Sequence, residues 1–253
     1  MCRHIAYLGP EVALGRVLVD PVWSLVRQSY APRRQRHGTV NADGFGIGWY
    51  AEGDPVPARY RRPGPIWGDP GLADITRVVR SRALLAAVRD ATVVTGEGEA
   101  AAAPFTDGPW LFSHNGAVRD WPDAVAALAV EELPPRALLG LAARTDSALV
   151  WALVLRRLRA GDGLGTALAE PVREVAAAAP GSRLNLLLTD GVGIAATAWG
   201  DSLWYLADGE GHRTVVASEP YDDDPRWVEV PDRTLLTVSR SGVACTPLKE
   251  ILP

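Results

Sequence analysis

Met1-Cys2-Arg3-His4-Ile5-Ala6-Tyr7-Leu8 opens the chain, and its second residue governs how the rest is read. Only one other cysteine, Cys245, occurs in 253 residues. Loss of Met1 would leave a thiol and a free α-amine on the same residue. An amine of pKa about 7.7–8.0 can take the proton of a thiol of about 8.5, so the pair is a nucleophile carrying its own base. The residues after Cys2 predict a strand that stops at Gly9-Pro10 and holds the thiol at its tip. A cysteine here also suits a small apolar residue opening a strand, so its role has to be read from what lies further along.

With 47% apolar and 22% charged residues, the composition is that of an ordinary globular domain, and one domain over 1–253 is the expectation. A net charge of −4 argues against a nucleic-acid partner, although every basic residue except Lys249 is arginine. No apolar run nears the ~20 residues of a membrane span, and no charged-then-apolar leader opens the chain. Isolated cysteines make no disulfide framework. The histidines His4, His37, His114 and His212 show no metal-ligand spacing. These features predict a reducing cytoplasm, no metal, no cofactor and no membrane partner; they set no oligomeric state. Asp222-Asp223-Asp224 reads as a solvated turn rather than a metal site.

Asp20-Pro21 predicts a short helix to about Ser29, with the acid as cap and the proline at the first helical position. A polar loop follows, Tyr30-Ala31-Pro32-Arg33-Arg34-Gln35-Arg36-His37-Gly38. In Asn41-Ala42-Asp43-Gly44-Phe45-Gly46-Ile47-Gly48-Trp49-Tyr50 the glycines alternate with apolar residues, which predicts a strand that another backbone approaches closely. Their spacing is not that of a dinucleotide-binding turn. Asp69-Pro70 predicts a helix to about Arg80, Ala83 to Arg89 a strand, Gly96 to Ala103 a mobile loop, and Trp110 to His114 a strand ended by Asn115-Gly116. Helical spacing runs from about Asp120 to Ala179, its best helix from Thr145 to Arg159. Short strands then follow at 183–188, 193–199, 203–207, 214–218, 234–239 and 243–247. Strands, helices and strands in blocks predict an α+β layered domain rather than alternating βαβ units.

Acyl transfer by an N-terminal cysteine needs oxyanion donors, a substrate clamp and closure against water. Asn115 and Gly116 offer an amide and a backbone N–H, though Asn-Gly is also the commonest hairpin turn. Arg89, at a strand end, can pair bidentately with a carboxylate or stand as a solvated charge. Asp146, in the first turn of a helix, suits a substrate ammonium or the helix dipole alone. Strand alternation turns His114 away from the site, and His4 reads as a packing residue.

In this order the motifs resemble those of the class II glutamine amidotransferases, and the resemblance spans nearly the whole chain. It implies the N-terminal-nucleophile fold, a four-layer αββα sandwich of two packed antiparallel sheets, with Cys2 made catalytic by loss of Met1. It further implies that Arg89, in Ala87-Val88-Arg89-Asp90-Ala91-Thr92, binds the glutamyl α-carboxylate with Thr92 as an extra donor. Asn115 and Gly116 would form the oxyanion hole, and Asp146, in Thr145-Asp146-Ser147, would bind the α-amino group.

Within the family the chain is most similar to the amidohydrolases of ergothioneine biosynthesis. It shares with them Met1-Cys2-Arg3-His4, Tyr30-Ala31-Pro32-Arg33-Arg34-Gln35, Asn41-Ala42-Asp43-Gly44, Pro104-Phe105-Thr106-Asp107-Gly108, Trp199-Gly200-Asp201 and Ala217-Ser218-Glu219-Pro220-Tyr221-Asp222-Asp223-Asp224. That likeness implies hydrolysis of γ-glutamyl-hercynylcysteine sulfoxide, a small-molecule partner, without a cofactor. The trimethylammonium of such a substrate favours an aromatic wall, for which Trp67, Trp110, Tyr30 and Tyr50 are candidates. Ala148 stands where glutamine-using members often carry an acid, and no synthase domain is attached. A glutaminase-type subunit, a hydrolase of another γ-glutamyl conjugate and an inactive binding protein on the same fold are the alternatives.

Overall fold

The strand that starts just after Cys2 lies at the middle of the fold. The structure is a computed structural model describing residues 2–91, 97–208, 213–239 and 242–249. In chain order its elements are β1 (Arg3–Ala13), α1 (Gly15–Leu18), α2 (Leu25–Gln28), β2 (Phe45–Trp49), β3 (Ala58–Arg62), α3 (Leu72–Val78), β4 (Arg80–Val88), β5 (Phe105–Asp107) and β6 (Trp110–Ala117). Helices α4 (Ala126–Glu132), α5 (Pro135–Leu139), α6 (Asp146–Arg159) and α7 (Leu164–Ala178) follow. The chain returns to strands with β7 (Arg183–Thr189), β8 (Ile194–Ala198), β9 (Trp204–Ala207), β10 (Thr214–Ala217), β11 (Val228–Glu229), β12 (Thr234–Ser239) and β13 (Gly242–Pro247).

One sheet has seven strands in the order β11-β9-β10-β1-β4-β2-β3; the other has six in the order β13-β12-β8-β7-β6-β5, and all pairings are antiparallel. Alternation sorts the side chains into three apolar layers. Ala6, Leu85, Leu111, Leu187, Ala196 and Val216 fill the space between the sheets. Ile5, Leu84, Phe45 and Val215 face the layer of α1–α3, and Phe112, Leu186 and Leu188 face α6 and α7. The result is the αββα sandwich. Each fully buried leucine contributes about 1.5–3 kcal/mol, so these layers dominate the stability.

Several local expectations need correction. β1 does not stop at Gly9-Pro10: it continues to Ala13, with its register shifted between Leu8 and Val12, because a bulge accommodates a proline that cannot donate to the ladder. The helix expected from Asp20 starts at Leu25 behind Ser24, whose Oγ accepts Arg27 N–H at 3.3 Å. Asp69 is not a helix cap either; it accepts the Gly71 N–H at 2.9 Å and the Tyr60 hydroxyl, and α3 begins at Leu72. Of the expected 96–103 loop, Gly98–Ala101 form a short 3-10 turn, while Gly96 lies outside the described residues. The close backbone approach expected at the glycine strand is present. A Cβ on Gly46 would strike the Ala103 carbonyl and Pro104.

Candidate active site

Residue Cys2 emerges half-buried from the tip of central β1. Its neighbour across the sheet is the end of β4, where Arg3 pairs with Val88, so Arg89 and Asp90 arrive beside the thiol. A cavity of about 490 Å³ opens there, lined by Cys2, Arg89, Gly116 and Asp146 among others. These residues come from both sheets and from the start of α6.

Local structure fixes each of them. Arg89 donates its backbone N–H to Gly44 O at 2.8 Å and its guanidinium to Asp43 O at 3.1 Å. Asp43 in turn accepts the Ala91 N–H at 2.8 Å. Thr145 caps α6 by accepting the Ala148 N–H at 3.3 Å, a bond worth about 1 kcal/mol. That cap places Asp146 in the first turn, where it accepts the N–H groups of Val118 at 2.9 Å and Ser147 at 2.7 Å. The predicted helix over Thr145 to Arg159 is thus present, with Asp146 at its mouth.

Asn115 and Gly116 do not form a hairpin turn. They continue β6, paired with Asn185 and Leu184 of β7, because the strand runs on to Ala117. Gly116 is glycine for a steric reason: a Cβ would fall inside the Arg183 carbonyl. Asn115 lies fully buried beside the cavity rather than on its wall, with Nδ2 donating to Ser218 Oγ at 3.4 Å and Oδ1 without a hydrogen-bond partner among the described residues. Thr92 lies outside the described residues.

His114 is the clearest correction. It does not face away; it lines the cavity, donating from Nε2 to Arg183 O at 2.9 Å with Nδ1 3.0 Å from Ser147 Oγ. Alternation does turn it toward the helices, but the cavity extends to that side as well because α6 supplies part of its wall. His4 is fully buried, its Nδ1 3.2 Å from Ser113 Oγ. Burial, then the charges of Arg3 and His114, pull its pKa down to about 3. Burial pushes the Cys2 thiol up. The amino terminus, a hydrogen bond from the Asp90 backbone and the Arg89 charge act against that rise, and Asp146 adds to it.

The family model described as "Glutamine amidotransferases class-II" matches residues 16–215. The chain belongs to the class II glutamine amidotransferases. Two curated relatives of this class II chain are gamma-glutamyl-hercynylcysteine sulfoxide hydrolases. That of Mycolicibacterium smegmatis is 45% identical over 98% of this chain and 100% of its own. That of Mycobacterium tuberculosis is 43% identical over 98% of this chain and 97% of its own. Among solved structures, a class II glutamine aminotransferase domain protein from Silicibacter pomeroyi matches with a TM-score of 0.70 at 25% identity, covering 98% of this chain and 100% of that one. The phosphoribosylpyrophosphate amidotransferase of B. subtilis shares the fold at a TM-score of 0.65 and 16% identity, covering 98% of this chain and 49% of its own.

Sequence reading missed other residues of this class II site. Ser113, His114, Trp121, Arg144 and Ser147 line the cavity, whereas none of Trp67, Trp110, Tyr30 and Tyr50 does. Tyr50, for one, spends its hydroxyl on Pro109 O at 2.6 Å and Thr189 O at 3.0 Å. Ser218 also went unread, although it sat inside a quoted motif. Its Oγ accepts both His4 N–H at 3.0 Å and Asn115 Nδ2. Among the described residues no three His, Cys, Asp or Glu side chains converge to hold a metal. The Asp222-Asp223-Asp224 carboxylates point to separate partners, Trp227 Nε1, Trp23 Nε1 with Arg33, and Arg226. No helix of the described residues is long and apolar enough to cross a membrane.

Proposed function

We propose that the protein is a γ-glutamyl amidohydrolase that cleaves γ-glutamyl-hercynylcysteine sulfoxide to glutamate and hercynylcysteine sulfoxide. The observation that carries this reading is the meeting of Cys2, Arg89 and Asp146 in one cavity, in a chain so similar along its length to hydrolases of that name. Arg89 takes the glutamyl α-carboxylate and Asp146 the α-ammonium, so the γ-carbonyl comes to the thiol. Thr92 adds a donor to the carboxylate.

After loss of Met1, the α-amine of Cys2 removes the thiol proton as sulfur attacks the γ-carbon. The C=O π pair moves onto oxygen and is held by Gly116 N–H and Asn115. The Asn115 amide has two hydrogens, one given to Ser218 Oγ and the other left for the oxyanion. Each such donor is worth about 2.7–4 kcal/mol of barrier. Collapse breaks the C–N bond, and the ammonium that now holds the thiol proton passes it to the leaving nitrogen. Water then attacks the thioester, the α-amine takes its proton, and the thiol leaves reprotonated. A free thiol nucleophile suits a reducing cytoplasm.

Glutamate release from γ-glutamyl-hercynylcysteine sulfoxide, beside glutamine and γ-glutamylcysteine and with Cys2→Ala as control, tests this reading. Cys2-dependent release from the first substrate is expected. Turnover of glutamine in its place would move the protein to the glutaminase reading, and silence on all three would make it a binding protein.

A further inference from the structure

Ser147 follows Asp146 in the first turn of α6 and lines the cavity that holds Cys2, yet no step above uses it. Its hydroxyl oxygen lies 3.0 Å from His114 Nδ1 and 3.4 Å from Asp146 Oδ1. A hydroxyl has one hydrogen, so only one of these two acceptors can receive it.

His114 decides which. Its buried ring has Nε2 at 2.9 Å from the Arg183 carbonyl. A carbonyl only accepts, so Nε2 carries a hydrogen, and in the neutral ring Nδ1 is then the acceptor. The Ser147 Oγ–H therefore goes to Nδ1, the shorter of its two contacts. No donor reaches Ser147 Oγ among the described residues, so its lone pairs stay available in the cavity wall beside Asp146 Oδ1.

Asp146 is already partly committed. Its Oδ2 accepts the Val118 N–H at 2.9 Å and its Oδ1 the Ser147 N–H at 2.7 Å. The N-terminal end of α6 also carries a partial positive charge, which opposes a cation placed beside it. A primary ammonium has three hydrogens to place. An acceptor next to the carboxylate, with its own hydrogen held elsewhere, supplies what the carboxylate alone does not.

We propose that Ser147 is a further substrate-binding residue, its Oγ accepting from the α-ammonium of the glutamyl group beside Asp146, and that His114 is the positioning residue that holds the Ser147 hydrogen out of that space. This rests on the functional reading above, which puts a γ-glutamyl group in the cavity. Without an acceptor at Nδ1, the Oγ–H would turn to Asp146 Oδ1 and lie between the two oxygens that the ammonium meets. A ligand that lacks the ammonium gains nothing from Ser147.

The test is kcat and KM on the γ-glutamyl substrate that the wild type turns over, with Ki values for L-glutamate and for glutarate, which lacks the α-ammonium. It compares the wild type with Ser147→Ala, Ser147→Thr, His114→Gln and the Ser147→Ala, His114→Gln double variant. Ser147→Ala is expected to raise KM and the glutamate Ki roughly 10-fold or more, as for a hydrogen bond to a charged group, with kcat little changed. Ser147→Thr keeps the hydroxyl and should recover most of that loss. The glutarate Ki should not move, whereas a general disturbance of the helix start would shift it too. His114→Gln, whose amide can still donate to the Arg183 carbonyl but puts no acceptor at the place of Nδ1, should give a smaller rise that does not multiply with that of Ser147→Ala. An unaltered KM in Ser147→Ala, or equal losses on glutamate and glutarate, overturns the Ser147 contact alone. A wild type that cleaves no γ-glutamyl substrate and binds no glutamate overturns the functional reading, and this contact with it.

Discussion

Asn115 donates its side-chain amide to Ser218 Oγ at 3.4 Å where the two sheets meet, and neither residue is exposed to solvent. The same oxygen accepts the N–H of His4 on β1, so one hydroxyl ties the proposed oxyanion donor to the strand that carries Cys2. Ser218→Ala should therefore lower kcat about tenfold through misorientation of Asn115, with KM little changed, because a neutral hydrogen bond is worth about 1 kcal/mol. Asn115→Ala should lose about 10²–10³ in kcat. Steady-state kinetics of the single and double variants checks the link: losses that simply multiply would separate Ser218 from Asn115.

Gly116 cannot gain a side chain, since its Cβ would enter the Arg183 carbonyl. Gly116→Ala is expected to cost roughly 1–3 kcal/mol and to lower Tm along with activity. Gly163→Ala, at a position with open space around it, is the matched control. Thermal denaturation of the two variants decides, and equal Tm values would contradict the packing account.

Arg89→Ala should raise KM for every γ-glutamyl substrate, because the carboxylate it meets belongs to the half common to all of them. Asp146→Asn should do likewise, while keeping its acceptor oxygen for one of the Val118 and Ser147 N–H groups. A fall confined to kcat in Arg89→Ala would remove Arg89 from substrate binding.

Stability should depend on pH through His4. Its folded pKa is about 3 against an ordinary 6.5, so between those values the unfolded chain binds the extra proton. The stabilisation is complete above pH 6.5 and is lost as pH falls toward 3, by up to ~1.4 kcal/mol per pH unit. Urea unfolding at pH 7 and pH 5 should show a stability drop for the wild type that His4→Gln reduces by about 2 kcal/mol. An identical drop in both proteins would show that other groups control it.

Much of the framework was legible because its signals are local. Short apolar runs bounded by turn residues marked β1, β4 and the strands of the last third. Helical spacing of apolar residues behind an acid at the first turn marked the start of α6. The glycine strand announced a close neighbour without saying which, and that neighbour proved to be Ala103 and Pro104. The misreadings arose where a local rule met a distant partner. Asn-Gly makes hairpin turns in isolation, but here pairing with Asn185 and Leu184 carries the strand past it. Alternation correctly put His114 on the helix side, yet it could not reveal that the cavity reaches there.

The sequence by itself determined the nucleophile at the head of a strand, the block order of strands and helices, and the motifs that mark the family, since each depends on residues adjacent along the chain. Tertiary structure alone decided which of those residues meet. It placed Arg89 beside Cys2 through the register of β1 on β4 and turned Gly116 into a contact with Arg183. It also buried Asn115 against Ser218. Those relations depend on how the two sheets pack and where their ends coincide, a non-local balance of burial and sterics that no spacing along the chain encodes.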